Sequence, residues 1–180
     1  MQTQRVGSDT QIVWAIDPSY STLEFSVKRL FFFIVKGCFA DLAGTLVFEK
    51  GNISGSSVEA VIKAGSINTG SSRRDAHLRS ADFLNVDRYP EIRFESTKVE
   101  PGLDRDTLRI TGSLTICEKT RQVVLDVNEL DHSRSPSGEE VIYYSATTEL
   151  DRFDFGINYG RPFIGRKVKI VITVQVLGRK

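Results

Sequence analysis

The stretch RRDAHLRSADFLNVDRYPEIRF, residues 73–94, predicts one short helix and a turn placed between β-strands. Ser71 or Ser72 can cap the start of this helix, because a serine hydroxyl accepts a hydrogen bond from a free N–H group of the first turn. Asp75 stands in that turn, where a carboxylate meets unsatisfied backbone N–H groups. We therefore expect one short helical segment near residues 72–85.

The predicted helix has an apolar side that needs a partner surface. That side consists of Ala76, Leu78 and Phe83. A helix this short cannot bury itself, so we expect it to cover a sheet or close the end of a barrel. Tyr89 and Pro90 then impose extended backbone and begin a strand over residues 91–99.

Alternation of apolar and polar residues recurs along nearly all of the remaining chain. In the segment 22–29, Leu23, Phe25 and Val27 fall on one face and charged or polar residues on the other, as in a half-buried strand. A short opening strand is expected at 13–16. The same alternation predicts strands near 33–48, 58–64, 91–99, 108–116, 123–127, 142–150 and 168–176.

These strands predict an all-β protein. Eight long strands joined mostly by turns favour an eight-stranded antiparallel up-and-down barrel, which leaves no open sheet edge. The segment 33–48 is expected to be one long curved strand, with Gly37 and Gly44 at its bends. A β-sandwich is the alternative, but only a barrel of about eight strands has room for a small ligand inside.

Length and charge limit the class of protein. The 180 residues suit a single domain, which we place at 11–180, after a flexible tail at 1–10. The net charge of +1 gives no general attraction to nucleic acid, so we expect none as a partner.

The sequence also predicts a location. No stretch approaches the roughly 18 apolar residues of a membrane span, and the N-terminus lacks the apolar core of a signal peptide. We therefore expect a cytoplasmic protein without an integral membrane span, or a periplasmic or secreted one if a leader has been removed.

Motifs for metals and cofactors are missing from the sequence. Cys38 and Cys117 lie far apart without a CxxC pattern, which predicts buried, reduced thiols and no metal site. No phosphate-binding loop, dinucleotide fingerprint or GxSxG motif occurs, so we expect no cofactor.

Candidate catalytic groups are few. His77, near Asp75, could transfer a proton, but no nucleophile is tied to it by spacing, so we expect a hydrogen-bonded structural histidine. His132 stands in a polar loop and is expected to be solvated. Arg73, Arg74 and Arg79 flank the helix start. They could hold a phosphate there, but we favour a solvated face paired with Asp75 and Asp82.

An aromatic cluster interrupts the alternating pattern. Phe31, Phe32 and Phe33 are consecutive, and Phe39 follows closely. Three adjacent side chains on a strand cannot all point inward. At least one ring is expected outside, at a homodimer contact or at the rim of the lumen, with core packing as the alternative.

Five segments, read in order, resemble the YceI-like family across nearly the whole chain. They are WAIDPSYSTLEFSVKRL (14–30), VKGCFADLAGTLVFE (35–49), RRDAHLRSADFLNVDRYPEIRFES (73–96), GSLTICEKTRQVVLDV (112–127) and DRFDFGIN (151–158). The resemblance implies a lipocalin-type barrel that holds an isoprenoid or other long apolar chain, usually as a homodimer. Many members of the family are periplasmic.

The chain departs from that family pattern at the expected mouth of the barrel. Arg29 replaces a usual histidine, Phe31–Phe33 replace a small polar and basic stretch, and Arg166–Lys167 stand where acidic residues are common. A mouth changed in this way favours a different ligand head group.

We therefore expect a barrel that binds an isoprenoid or fatty ligand without catalysis. The small inward residues Ala60, Ala64, Ser96, Gly112 and Ala146 should leave space in the lumen. The predicted ligand-binding residues are Phe25, Val27, Leu42, Val58, Ile62, Phe94, Ile110, Leu114, Leu125 and Tyr144, with Phe83 and Phe155 as lids. Two alternatives are an enzyme that uses His77 or Tyr144 in a water-excluded chamber, and a stress-response protein whose barrel is filled by side chains.

Overall fold

The computed structural model describes residues 11–49, 51–104 and 106–178, whose eleven strands form one antiparallel sheet. The predicted tail, residues 1–10, lies outside the described residues. The strands are β1 (Gln11–Ile16), β2 (Thr22–Arg29), β3 (Phe33–Phe39), β4 (Leu42–Glu49), β5 (Ser57–Lys63), β6 (Ile67–Asn68), β7 (Glu91–Pro101), β8 (Thr107–Ile116), β9 (Lys119–Arg134), β10 (Glu140–Asp151) and β11 (Ile164–Gly178). One helix, α1 (Ser72–Arg79), follows β6, and short 3₁₀ turns occupy Pro18–Tyr20, Ile53–Gly55 and Ala64–Ser66.

The sheet closes into an eight-stranded barrel, as the alternating pattern predicts. Three of the eight positions around the barrel are each occupied by two short strands in line. β1 and β2 both pair with β11. On the other side, β4 pairs with β1 and β3 pairs with β2. In the same way β5 pairs with β4, and β6 with β3. The β1–β11 pairing closes the ring and excludes the β-sandwich.

Strands β3 and β4 show that the predicted single strand at 33–48 is wrong. The strand is interrupted at Ala40 and Asp41, where backbone and side-chain groups of Ser66 supply the hydrogen bonds instead of a strand partner. Gly37 lies within β3 and Gly44 within β4, where the absence of a side chain permits close packing. A Cβ on Gly37 would lie 2.5 Å from the Phe25 ring, and one on Gly44 would lie 2.3 Å from the Glu59 carbonyl oxygen.

Two ends of the barrel differ in how they are covered. One end, called the α1 end below, carries the β2–β3 turn, the segment from β6 to β7 that contains α1, the β8–β9 turn and the β10–β11 loop. The opposite end carries the β4–β5, β7–β8 and β9–β10 connections. The longest connections therefore lie at the α1 end, where they can cover the lumen.

Helix α1 is shorter than the predicted segment 72–85. Ser71 is its N-cap, as expected, and its hydroxyl oxygen accepts a hydrogen bond from the Arg74 N–H. The helix ends at Arg79, because Ser80 adopts extended backbone and its hydroxyl donates to the His77 carbonyl. Residues 81–90 then form turns that lead into β7.

The expected apolar side of this segment is only partly correct. Leu78 packs against the core and Phe83 is half-buried, but Ala76 is exposed. Asp75 is the buried residue of α1, because its carboxylate accepts hydrogen bonds from the backbone N–H and the hydroxyl of Thr69. Hydrogen bonds between Asp75 and Thr69, which follows β6, thus hold the helix in place.

Candidate functional site

A cavity of about 1070 Å³ occupies the barrel lumen. It is larger than the roughly 300–1,000 Å³ of most small-molecule sites. All the residues that the sequence predicts as ligand contacts line it: Phe25, Val27, Leu42, Val58, Ile62, Phe83, Phe94, Ile110, Leu114, Leu125, Tyr144 and Phe155. Their contact with a ligand stays a prediction.

Small side chains account for only part of this space. Ala60 and Ala146 line the cavity, as expected. The other three residues have packing roles: a Cβ on Gly112 would lie 2.4 Å from the Phe94 ring, the Ser96 hydroxyl accepts from the Val58 N–H, and Ala64 is buried. A lumen this large is not filled by side chains, since packed interiors hold few voids larger than a water molecule.

The charged groups of the cavity all carry the same sign and lie at one end. Among the described residues that line it, none is Asp, Glu or Lys, whereas four are arginine. Arg29 ends β2, Arg73 and Arg74 belong to α1, and Arg152 follows β10, so all four lie at the α1 end. The lumen is thus an apolar chamber with a cationic end.

The cavity reaches the protein surface at this cationic end. Arg29, Arg73 and Tyr159 line the cavity and are also exposed. Strand pairing is incomplete here, since within the described residues β3 pairs with β6 only at Cys38 and Phe39. Among the described residues, 33–37 thus have no strand partner on the side of α1, and the Thr69 side chain packs beside Gly37 instead.

Arg152 orders the β10–β11 loop at the mouth, a role that the sequence analysis missed. It is 6% exposed, and its guanidinium donates to the backbone carbonyls of Ile157, Tyr159, Ile164 and Gly165, each at 2.8 Å. Burial, followed by the nearby charge of Arg161, lowers the pKa of Arg152, which still stays cationic at neutral pH. The loop is thus folded around one buried cation.

His77 has a different partner from the one expected. Its Nε2 lies 2.8 Å from an Asp82 carboxylate oxygen, whereas Asp75 is held by Thr69. The His77 ring also packs edge-on against Phe83 and Tyr159, with centroids 5.1 and 4.8 Å apart. This aromatic contact joins the helix segment to the β10–β11 loop across the mouth.

The arginines around α1 do not form the predicted pairs with Asp75 and Asp82. Arg74 donates to the hydroxyl and the carbonyl of Thr69, and Arg79 donates to the carbonyls of Gly65 and Ile67. They hold backbone at the ends of short strands, because carbonyls left unpaired there need donors. Arg73, in contrast, is exposed at the mouth.

Tyr144 is one of the polar groups that line the lumen. It stands near the start of β10, in the half of the barrel away from α1. Burial, followed by the negative charge of Glu129 and its hydrogen bond to the phenol, raises the pKa of Tyr144 to about 12. The phenol is therefore neutral at physiological pH, and the fold does not bring it together with His77.

The predicted aromatic cluster is divided in two. Phe39 is buried and packs against Phe25, with ring centroids 5.8 Å apart. Phe31 and Phe32 in the β2–β3 turn and Phe33 at the start of β3 are instead exposed at the rim of the α1 end. Core packing is thus wrong for these three rings.

The two cysteines are free thiols, as predicted, but both are only half-buried. Cys117 stands in the β8–β9 turn and its Sγ lies 3.4 Å from the Leu84 carbonyl oxygen. Burial and the charge of Glu118 raise its pKa, so the thiol is a weak nucleophile.

In the described part of the chain, no helix is long and apolar enough to cross a membrane.

Comparison with known proteins now identifies the family. The model of the YceI-like domain matches residues 14–176. The chain belongs to the YceI-like family. Protein YceI of Salmonella newport is 31% identical to it over 176 residues, which cover 97% of this chain and 91% of that protein.

Solved structures of YceI-like architecture show the same fold. BcnA from Burkholderia cenocepacia is 18% identical, with a TM-score of 0.79 over 89% of this chain and 98% of BcnA. A polyisoprenoid binding domain from Saccharophagus degradans, implicated in plant cell wall breakdown, is 15% identical, with a TM-score of 0.71 over 92% of this chain and 98% of that domain. At such identities the likeness establishes the barrel and no more.

Proposed function

We propose that this YceI-like protein binds a long apolar chain, of isoprenoid or fatty type, inside its barrel, for storage, transport or isoprenoid metabolism. The observation that carries the proposal is the cavity of about 1070 Å³, whose walls are apolar along the strands. The polyisoprenoid binding domain from Saccharophagus degradans, which has the same fold, supports an isoprenoid as the first ligand to test.

Burial of the chain would provide the affinity. Apolar surface removed from water contributes about 25 cal/mol per Å², so a chain that buries several hundred Å² gains many kcal/mol before its losses of freedom are subtracted. This contribution has no direction. The lumen would therefore select ligands by their length and width more than by the positions of their polar groups.

The cationic end of the cavity supports one orientation of the ligand. A polar or anionic head group at the α1 end would meet Arg29 and Arg73, which are exposed beside the mouth. The tail would then extend towards Tyr144 and the opposite end.

Binding is favoured over catalysis because the polar groups are dispersed. His77 is bonded to Asp82 at the mouth, whereas Tyr144 is at the other half of the lumen and holds its proton. A general acid and base must both reach the reacting atoms. The cytoplasmic location and the homodimer remain predictions from the sequence.

Thermal unfolding with added lipids tests the proposal. Prenyl alcohols and fatty acids of increasing length are added to delipidated protein, and each melting temperature is measured. A ligand at a hundred times its Kd stabilises the fold by about 2.7 kcal/mol, which corresponds to a rise of about 5–10 °C for a domain of this size. If no chain of any length raises the melting temperature, the proposal fails.

A further inference from the structure

An exposed aromatic turn projects from the α1 end of the barrel. This aromatic tip comprises residues 30–34, the sequence LFFFI, which forms the β2–β3 turn and the first two residues of β3. Phe31, Phe32 and Phe33 are 73%, 88% and 65% exposed, and Ile34 is 61% exposed. Such a continuous apolar surface is uncommon on a protein that meets only water.

The turn itself does not require these side chains. Leu30 and Phe31 have φ angles of 49° and 66°, in the left-handed region where bulky residues are disfavoured and glycine or asparagine is usual. Folding alone would favour a smaller residue at both positions. The apolar side chains therefore point to a contact outside the barrel.

Positive charge surrounds the aromatic tip. Lys28, Arg29 and Lys36 flank it on the two strands and are exposed, and no acidic residue occurs between positions 25 and 40. Lys28 pairs across the hairpin with Ile34, so a cation lies directly beside the apolar surface. Aromatic rings together with basic residues are the combination that suits the interface of an anionic bilayer.

The aromatic tip also lies next to the open side of the cavity. The Leu30 N–H donates to the Phe163 carbonyl at 2.7 Å, which joins the tip to the β10–β11 loop and its exposed Phe163 ring. Arg29, at the base of the tip, lines the cavity mouth. A surface that receives the tip would therefore face the mouth as well.

From these observations we infer that the aromatic tip inserts into the interfacial region of an anionic phospholipid bilayer and docks the cavity mouth against it. A second copy of the chain fits this surface less well, because a symmetric contact would bring Lys28, Arg29 and Lys36 of both copies together. Docking extends the proposed function by giving a lipid ligand a direct route between bilayer and lumen. The two are tested separately, since docking is measured on delipidated protein without added ligand.

Sedimentation with vesicles is the first test. Full-length protein is mixed with vesicles of phosphatidylcholine alone or with equal parts of phosphatidylglycerol. We expect preferential binding to the anionic vesicles, about a tenfold lower partition coefficient for Phe32→Ser, and a similar loss for Lys28→Ser combined with Lys36→Ser. Leu103→Ser is the matched control, because Leu103 is a fully exposed apolar residue at the opposite end.

A tryptophan probe gives an independent readout of insertion. The protein has one tryptophan, Trp14, which is 5% exposed and belongs to β1. In Phe32→Trp, we expect anionic vesicles to shift the added emission to shorter wavelength and brominated lipids to quench it. Circular dichroism confirms that each variant is folded.

Several results would overturn the inference. They are equal binding to both kinds of vesicle, binding that Phe32→Ser leaves unchanged, and an unshifted Phe32→Trp spectrum. A further contrary result is that Phe32→Ser converts a dimer to a monomer in analytical ultracentrifugation without any effect on vesicle binding. That last result would assign the aromatic tip to self-association.

Discussion

Arg152 shows how one residue can shape the mouth of the barrel. Its four hydrogen bonds reach carbonyls spread over residues 157–165, so the guanidinium replaces the strand pairing that this loop lacks. An unpaired carbonyl buried in a protein loses the hydrogen bond it had with water. We therefore expect the order of this loop to depend on Arg152.

Replacement of Arg152 should loosen the loop and destabilise the fold. The single ammonium of Arg152→Lys cannot reach four carbonyls in a planar arrangement, so we expect the free energy of unfolding to fall by about 3 kcal/mol. Arg161→Lys is the matched control, because Arg161 is exposed on the same loop. Chemical denaturation measures both variants. Equal effects would show that Arg152 has no special role.

Tyr144 should be visible in an ultraviolet titration. The protein has five tyrosines, and burial raises the pKa of Tyr144 to about 12, so we expect its phenol to ionise last and Tyr144→Phe to lose that last component. In the unfolded chain the phenol ionises near pH 10. Its contribution to stability is therefore complete below about pH 10 and is lost as the pH rises towards 12. Ionisation of all tyrosines near pH 10 in folded protein would contradict the buried environment.

Individual residue roles were the least predictable from the sequence. The apolar lining of the lumen follows from alternation, since every second residue of a barrel strand faces inward. The partners of His77 and Arg152 do not follow, because both depend on turns whose path is set by distant contacts. The only signal for Arg152 was its place in the DRFDFGIN segment.

Two neighbouring residues of strand β10 allow the hollow interior of the barrel to be tested. Ala146 faces the lumen, whereas its neighbour Thr147 is exposed. We expect Ala146→Trp to fold and to take up much less lipid, because the indole would occupy ligand space. Thr147→Trp is the control and should bind normally. Lipid uptake and circular dichroism are measured together.

The same pair of variants can also contradict the hollow barrel. A packed interior does not accept a large side chain without strain of about 1–3 kcal/mol or more. Severe unfolding of Ala146→Trp alone would therefore indicate that the interior has no usable space. Normal lipid uptake by this variant would place the ligand elsewhere.

The type of each secondary-structure element was predicted better than its first and last residues. Alternation correctly indicates strands, but not the break at Ala40 and Asp41, since apolar residues continue on both sides of it. The helix was predicted too long because Phe83 continues its apolar pattern, while the stop comes from the backbone of Ser80. Local hydrogen bonds of this kind leave little trace in hydrophobic periodicity.

At the scale of the whole molecule, barrel closure links the fold to its proposed use. The pairing of β1 with β11 joins the first strand to the last and closes the ring, and each position around the ring contributes apolar side chains to a shared lumen. The sequence predicts this closure because so many alternating strands would otherwise leave exposed edges. The early end of the β3–β6 pairing was not predicted, since it depends on where β6 ends and α1 begins.

Native mass spectrometry of the purified full-length protein, with organic extraction of the same sample, tests ligand binding most directly. We expect one apolar molecule of isoprenoid or fatty type per barrel, or uptake of one when prenyl or fatty chains are added to protein that has been delipidated. The extracted mass would also identify the head group. Protein that carries no lipid and takes up none of the added chains would contradict the account.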